Sequence, residues 1–316
     1  MAIPGKAAII YHTGAGRGRA SDCVGPVCRQ LASHGWTMAG VHRTLYPGHA
    51  QKVLAPTLAR EIDFIVAIGG DGTLREVCAG LPPATPPVPI GFVPTGSANV
   101  VARDLSIPLE AEPAIDLLTT GVARNFDVGA IQTDRNTDDT IIFLAMVEIG
   151  FGAKVVHLTQ KLRDGLCRSI YRQWGDPVYA LAALAALVEP DEKPFQISRG
   201  TTSTSLQAYA AVIANTHCYA KSWSMAPAAR MDDGRLDLFT RHRSGTGVII
   251  RSYYAASQWR RLSGADGHYC RGRGFEIRSD TPLAIQIDGD PLPPLKWLAV
   301  RVMPGQLRLV TPPRDR

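Results

Sequence analysis

No apolar run in this chain of 316 residues reaches the ~20 residues that a bilayer-spanning helix needs. The longest candidate, Val178-Tyr-Ala-Leu-Ala-Ala-Leu-Ala-Ala-Leu-Val188, is too short and reads as a buried or interfacial helix. Cysteine is scarce: six residues, at positions 23, 28, 78, 167, 218 and 270, with no Cys-x-x-Cys pair. That argues against a disulfide framework or a zinc ribbon and for free thiols. The few aromatics do not interleave with basic residues, which argues against nucleic acid as a partner. There is no internal repeat and no low-complexity tract. Met1-Ala-Ile-Pro-Gly-Lys6 leads straight into an apolar strand without a signal-peptide layout. The chain is therefore expected to be soluble and cytoplasmic.

What is present is ordinary globular material. Apolar residues make up 45% and charged residues 20%, and the length suffices for two domains with real cores. The net charge of +6 suits an anionic membrane surface or nucleotide phosphates, and equally a solvated surface.

The most informative segment is Gly69-Gly-Asp-Gly-Thr73, directly behind the apolar run Phe64-Ile-Val-Ala-Ile68. A buried strand ends in a turn with almost no side chains and one carboxylate. Glycines let backbone N–H groups approach phosphate oxygens, and Asp71 can hold Mg²⁺ or a metal-bound water. A helix expected from Leu74 to Ala79 would aim its dipole at the same anion. A second segment repeats the layout. The strand Ile90–Val93 runs into Thr95-Gly96-Ser97, and a helix is expected near Ala98, where Ser97 and Asn99 could cap it or bind a ligand. Two such ends would be neighbours in a parallel sheet, where ligands bind at the carboxyl ends of strands.

Before these segments the pattern alternates: strand Lys6–His12, the loop Thr13-Gly-Ala-Gly-Arg-Gly-Arg19, a helix to about His34, strand Trp36–Thr44 and helix Ala50–Glu61. This βαβαβ order predicts a doubly wound parallel α/β domain. After about residue 125 strand-like runs dominate, at 126–131, 141–147, 195–198, 208–214, 236–240, 275–278, 283–288 and 307–310. Helices are expected at about 152–164, 175–189 and 246–262, and a polar, mobile hairpin loop at Asp134–Thr140. The expectation is a second, antiparallel β-rich domain over 126–316 behind the α/β domain of 1–125, with the last strand returning towards the first.

Two further motifs follow in order, Asp232-Asp-Gly-Arg-Leu-Asp237 and Ile287-Asp-Gly-Asp290. With the glycine turns, they make the chain resemble the diacylglycerol kinase catalytic family, which includes bacterial soluble lipid kinases and sphingosine kinases. The resemblance runs from the first strand to residue 310. It implies an α/β nucleotide-binding domain, a β-rich second domain and an active site in the cleft. It also implies an ATP-dependent lipid kinase of lipid metabolism and phospholipid biosynthesis. Such an enzyme transfers the γ-phosphate to a hydroxyl of an amphipathic lipid, diacylglycerol or a sphingoid base, at a membrane surface, with Mg²⁺.

The resemblance also assigns roles. Thr44, Gly70, Asp71, Gly72, Thr73, Glu76, Gly96, Ser97 and Asn99 match nucleotide-binding positions. Asp71 and Asp127 match acidic members of a metal–water network. Asp233, with the carbonyls of Arg230 and Arg235, matches a structural Mg²⁺ loop. Asp290 is the candidate general base. The chain departs from the family at His12-Thr13 (usually Asn-Pro), Arg75 (Asn), Val100 (Asp) and Asp290 (Glu). Read as bare residues, Asp127 is a strand-start carboxylate, Asp288-Gly-Asp290 a good turn, and Arg17 and Arg19 loop charges or phosphate partners. Asp237 could pair with Arg235 or Arg241. His157, His217 and His268 have no visible partners. Trp174, Tyr179 and the leucines at 181, 184 and 187 read as core or as lining for a lipid pocket.

Two rivals remain open in the sequence. A NAD kinase-like enzyme shares the glycine-rich aspartate turn but needs an Asn-Glu pair, and this chain has none. A catalytically weak lipid- or nucleotide-binding protein would bind without turnover. Monomer and homodimer both fit, as do ATP and GTP.

Overall fold

The computed structural model describes residues 4–14, 18–54, 62–81, 87–164, 175–188, 192–200, 205–219, 223–260 and 266–313. Arg17, Trp174, Cys167 and the end of the expected 50–61 helix lie outside them. The chain forms two compact units, one of Met1–Val128 with Pro304–Arg316 and one of Gly129–Met303.

The first unit is a parallel sheet wrapped by helices. Strand β1 (Lys6–His12) lies between β2 (Thr37–Thr44) and β3 (Phe64–Gly69), and β3 pairs with β4 (Ile90–Pro94). Every residue of β3 and β4 is buried, as expected of parallel strands covered on both faces. Strand β2 alternates exposed and half-buried residues along the edge. Helix α1 (Arg19–Ser33) buries Ala20, Cys23, Val27 and Leu31, spaced three and four apart, against the sheet. Helix α2 (His49–Val53) packs on α3 (Asp71–Gly80). Helix α3 starts at Asp71, earlier than Leu74, because Gly70 serves as its N-cap. Helix α4 (Val100–Asp104) starts two residues later than Ala98 because Asn99 is left-handed, at φ 48°. Helix α5 (Ala111–Thr120), not anticipated from the sequence, packs on α1 and β4.

The second unit is antiparallel. Strand β5 (Val122–Thr133) turns at Asp134-Arg135 into β6 (Asn136–Phe143). The expected loop at 134–140 is therefore mostly strand, because the pair Thr133–Asn136 closes a two-residue turn. The expected strand 141–147 is two elements, since β6 ends at Phe143 and β7 (Met146–Ile149) follows. Helix α6 (Phe151–Asp164) and helix α7 (Gly175–Val188) pack together. Strands β8 (Phe195–Arg199), β9 (Ser205–Ala208), β10 (Ala210–Ala214) and β11 (Leu236–Arg241) lead to helix α8 (Thr246–Ser257). Then come β12 (Gly267–Gly272), β13 (Gly274–Ile287) and β14 (Asp290–Thr311).

Strand β13 pairs through Phe275–Arg278 with β8 and through Ile285–Ile287 with β7, so one strand serves two partners on either side of a register shift. Phe143, Val147, Ile149, Ile197, Leu238, Ile277, Ile285 and Leu298 meet in its core. The last residues of β14 belong to the first unit, where Leu309 lies parallel to Ile90 of β4.

Candidate active site

In the first unit the two glycine turns meet at the carboxyl ends of β3 and β4. Thr95 and Gly96 donate their N–H groups to the Gly69 carbonyl, at 2.7 and 3.2 Å. Gly70 and Gly96 abut: a Cβ on Gly96 would stand 2.6 Å from the Gly70 Cα. Thr73 folds back over Gly69 in the same way. The turns are thus one bare surface of backbone, and no side chain caps helix α3 above it.

Asp71 ties the two turns together. Buried at the first position of α3, its carboxylate accepts the Val100 N–H on Oδ2 and the Val101 N–H on Oδ1, both at 3.0 Å. A carboxylate at the start of α4 satisfies donors that a helix start leaves open. Asn99 is pinned from the other side, its Nδ2 donating to the Gly96 carbonyl at 3.0 Å. The buried Asn99 Oδ1 and Thr95 Oγ1 have no hydrogen-bond partner among the described residues. Buried oxygens are rarely left so, and two beside a bare turn suit a ligand that offers protons or a hard cation. Ser97 is exposed at the tip of the second turn.

The other predicted positions sit around the turns with partners of their own. Thr44, buried at the end of β2, donates its hydroxyl to the Tyr11 carbonyl at 3.3 Å and lies 2.9 Å from His12 Nδ1. The residue that replaces the family's Asn-Pro start is therefore held by the next strand. Glu76 on α3 accepts the Ala50 N–H at 3.4 Å, across to α2. Asp127 on β5 accepts the Gly305 N–H at 3.0 Å and is buried. Gly72 lies in the first turn of α3.

In the second unit Asp288 and Gly289 form a two-residue turn with both residues left-handed, at φ 49° and 88°. Asp-Gly is a favoured pair for that turn, whose twist matches the strands. Ile287 pairs with Asp290 across it. Asp288 points inward: its Oδ2 accepts the Leu144 N–H at 2.8 Å, and its Oδ1 accepts the N–H groups of Ala145 and Met146 at 2.8 and 3.0 Å. Asp290, one step past the turn, is exposed. One aspartate of the motif locks the hairpin, and the other stands at its tip.

The 230–237 loop is rich in charge. Asp233 accepts the Arg235 N–H at 3.1 Å and pairs with Arg271, while Arg230 pairs with Asp232. Asp237 is fully buried; its partners are Arg271 and Tyr269, not Arg235 or Arg241 as expected from the sequence. Burial pushes the Asp237 carboxyl above the usual range, against the pull of Tyr269 and Arg271. Arg241 instead pairs with Glu192, both buried. His157, expected to be without a partner, bonds through Nε2 to the Ile285 carbonyl at 3.0 Å. His217 packs against Trp259 and His268 against His242. Leu181 and Leu184 are exposed, so that part of the leucine stripe is not core.

Sequence reasoning missed Thr95 and a second group, Glu148 with Tyr219, Tyr253 and Gln286. A lone acid inside the apolar strand Met146-Val-Glu-Ile149 was the available signal.

The comparisons with known proteins cover both units. Residues 6–131 match the diacylglycerol kinase catalytic domain, and residues 145–311 the YegS C-terminal NAD kinase beta sandwich-like domain. A Pseudomonas aeruginosa (strain UCBPP-PA14) protein named "Probable lipid kinase YegS-like" is 30% identical over 285 residues, covering 86% of this chain and 84% of its own. A Bacillus subtilis (strain 168) protein named "Diacylglycerol kinase" is 26% identical over 291 residues, covering 90% and 89%. The crystal structure of a diacylglycerol kinase from Bacillus anthracis str. Sterne superposes with a TM-score of 0.71 at 18% identity, over 99% of each chain.

Proposed function

The chain belongs to the lipid kinases of the diacylglycerol kinase family, and on that premise we propose how its own residues divide the work of phosphoryl transfer. ATP is the co-substrate and a lipid hydroxyl the acceptor, as in the family. The first unit takes the nucleotide: the backbone N–H groups at the start of α3, over Gly70–Thr73, and that of Ser97 receive the phosphates, and the uncapped start of α3 adds its dipole, while the Thr95 and Gly96 N–H groups, bonded to the Gly69 carbonyl, hold the two turns together. The observation that carries this reading is the abutting pair Gly70 and Gly96, braced by Asp71, beside the unpartnered oxygens of Asn99 and Thr95.

The same oxygens fit Mg²⁺, a cation that takes oxygen ligands. Bound there with Asp71 and Asn99, it would offset charge on the transferring phosphoryl group. Asp233 and the carbonyls of Arg230 and Arg235 offer a second oxygen-rich place, which the Arg271 guanidinium shares. Thr44, Glu76 and Asp127 hold the surrounding strands and helices in register for the nucleotide. Asp290 accepts the proton of the lipid hydroxyl as that oxygen attacks the γ-phosphorus and the bond to the β-phosphate oxygen breaks. Its exposed place at the tip of a locked hairpin supports this role.

The acceptor resides in a membrane, and the second unit has a surface suited to one. Leu181, Leu184 and Val188 stand exposed along one face of α7, with Ile250 and Tyr254 exposed on α8. The helices join where Thr246 donates its hydroxyl to the Leu187 carbonyl at 3.1 Å. No helix among the described residues is long and apolar enough to cross a bilayer. These side chains suit shallow insertion, with the excess positive charge favouring anionic lipid.

The test is transfer of radiolabel from γ-labelled ATP with Mg²⁺ to detergent-dispersed diacylglycerol, monoacylglycerol, sphingosine and ceramide, with NAD in a parallel lane. Label in one lipid lane, lost in Asp290→Asn, is the expected result. Label in the NAD lane alone would overturn the lipid assignment.

A further inference from the structure

Glu148, in the middle of strand β7, has no part in the reaction as described. It is 4% exposed, and a buried carboxylate is costly unless donors surround it. They do. The Tyr219 hydroxyl lies 2.9 and 2.8 Å from its two oxygens, the Tyr253 hydroxyl donates to Oε1 at 3.0 Å, and Gln286 Nε2 donates to Oε2 at 3.1 Å. Gly152 presses on the carboxylate so closely that any Cβ would collide with it.

The consequence runs through Gln286, which is itself buried. The Gly289 N–H can only donate and takes the Gln286 oxygen, so the Gln286 amide turns its nitrogen to Glu148 Oε2. Its oxygen then faces the other way, where it accepts the Gly289 N–H at 2.7 Å. A flipped amide would set oxygen against carboxylate and NH₂ against N–H, losing both bonds. Gly289 is the second residue of the Asp288-Gly289 turn, and Asp290 follows it. The buried acid therefore holds the nitrogen of one amide, and that amide holds the turn from which Asp290 projects.

We propose that Glu148 is a positioning residue for phosphoryl transfer, acting through Gln286 on the hairpin that presents Asp290. This rests on the reading of Asp290 as the base. Tyr219 and Tyr253, in edge contact with each other and beside Phe151 and Trp223, hold Glu148 in place and keep water from competing for it.

The experiment compares Gln286→Met, Gln286→Glu, the exchanged pair Glu148→Gln with Gln286→Glu, and Asp290→Asn as control. Lipid phosphorylation and amide hydrogen exchange at Gly289 are read on each full-length protein. Gln286→Met is expected to lower kcat about 10- to 100-fold, the loss that a misplacement of about 1 Å brings. The KM for ATP should stay unchanged and the Gly289 amide should exchange faster. Gln286→Glu sets two carboxylates face to face and should be as poor. The exchanged pair restores donor to acceptor in the opposite sense and should recover both turnover and Gly289 protection, a rescue that loss of packing does not give. If Gln286→Met keeps full kcat while Asp290→Asn is inactive, or if Gly289 protection is unchanged, the positioning role is wrong and the base reading stands. If Asp290→Asn keeps full turnover, the base reading falls first and takes the positioning role with it.

Discussion

Gly70 and Gly96, the second residues of two turns 26 positions apart, meet so closely that a Cβ on Gly96 would stand 2.6 Å from the Gly70 Cα. The reverse is looser, since a Cβ on Gly70 would lie 3.3 Å from the Gly96 Cα. Gly96→Ala should therefore be the worse substitution, costing about 1–3 kcal/mol as overpacking does and weakening ATP binding. Gly70→Ala should cost less on both counts. Denaturant midpoints and ATP titration of the two variants check the order; equal effects would mean that the turns part easily.

Asp71 is a brace in its own right, because both its oxygens hold the start of α4. In Asp71→Asn one oxygen becomes an NH₂ that faces a backbone N–H. A hydrogen bond to a charged group is lost, a cost of about 1.5–3 kcal/mol. Turnover should fall and the unfolding midpoint should fall with it. Loss of turnover at an unchanged midpoint would leave Asp71 a metal or phosphate contact only.

The two aspartates of the 288–290 motif should separate cleanly. Asp288→Ala strips three backbone N–H groups of their acceptor and should destabilise the second unit by about 2 kcal/mol or more. Asp290→Ala removes an exposed side chain and should move stability by no more than about 0.5 kcal/mol while abolishing turnover. Asp290→Glu, which restores the family's residue, should keep turnover. Thermal unfolding with the lipid assay reads both effects, and the reverse pattern would exchange the roles of the two residues.

Much of this was legible in the chain because strong local signals agreed. The buried runs at 64–68 and 90–93 are parallel core strands, and a glycine turn with little side chain follows each. Asp-Gly at 288–289 reads as a hairpin turn from its left-handed preference alone. Illegible were the features that depend on partners far off in sequence. Asp71 meets Val100 across 29 residues, and Asp237 takes Arg271 and Tyr269 from another strand. Neither pairing has a period or spacing to betray it. The single strand expected over 141–147 failed because an unbroken apolar run hides the break between Phe143 and Met146, whose cause is the Asp288 carboxylate drawing the N–H groups of 144–146 towards itself. Glu148 was passed over because one acid among apolar residues matches no motif, although burial is what makes such a residue worth asking about.

That burial has a consequence in solution. Desolvation pushes the Glu148 carboxyl above its ordinary value, and the hydroxyls of Tyr219 and Tyr253, the Gln286 amide and the more distant Arg241 pull it only part of the way back. The folded protein thus holds this proton to higher pH than the unfolded chain, whose glutamate titrates at about 4.3. Stability from this group is complete below that value and is lost as pH rises through the raised folded value, because the native state binds more protons across that window. Glu148→Gln cannot titrate. The stability of the native protein relative to this variant should therefore fall as pH rises from about 4.3, and level off once Glu148 is ionised in the folded state. Denaturant unfolding of both proteins across the acid-to-neutral range gives the difference directly. A difference that is flat across the range would mean that the donors around Glu148 offset its burial fully, and one that rises with pH would mean that they outweigh it.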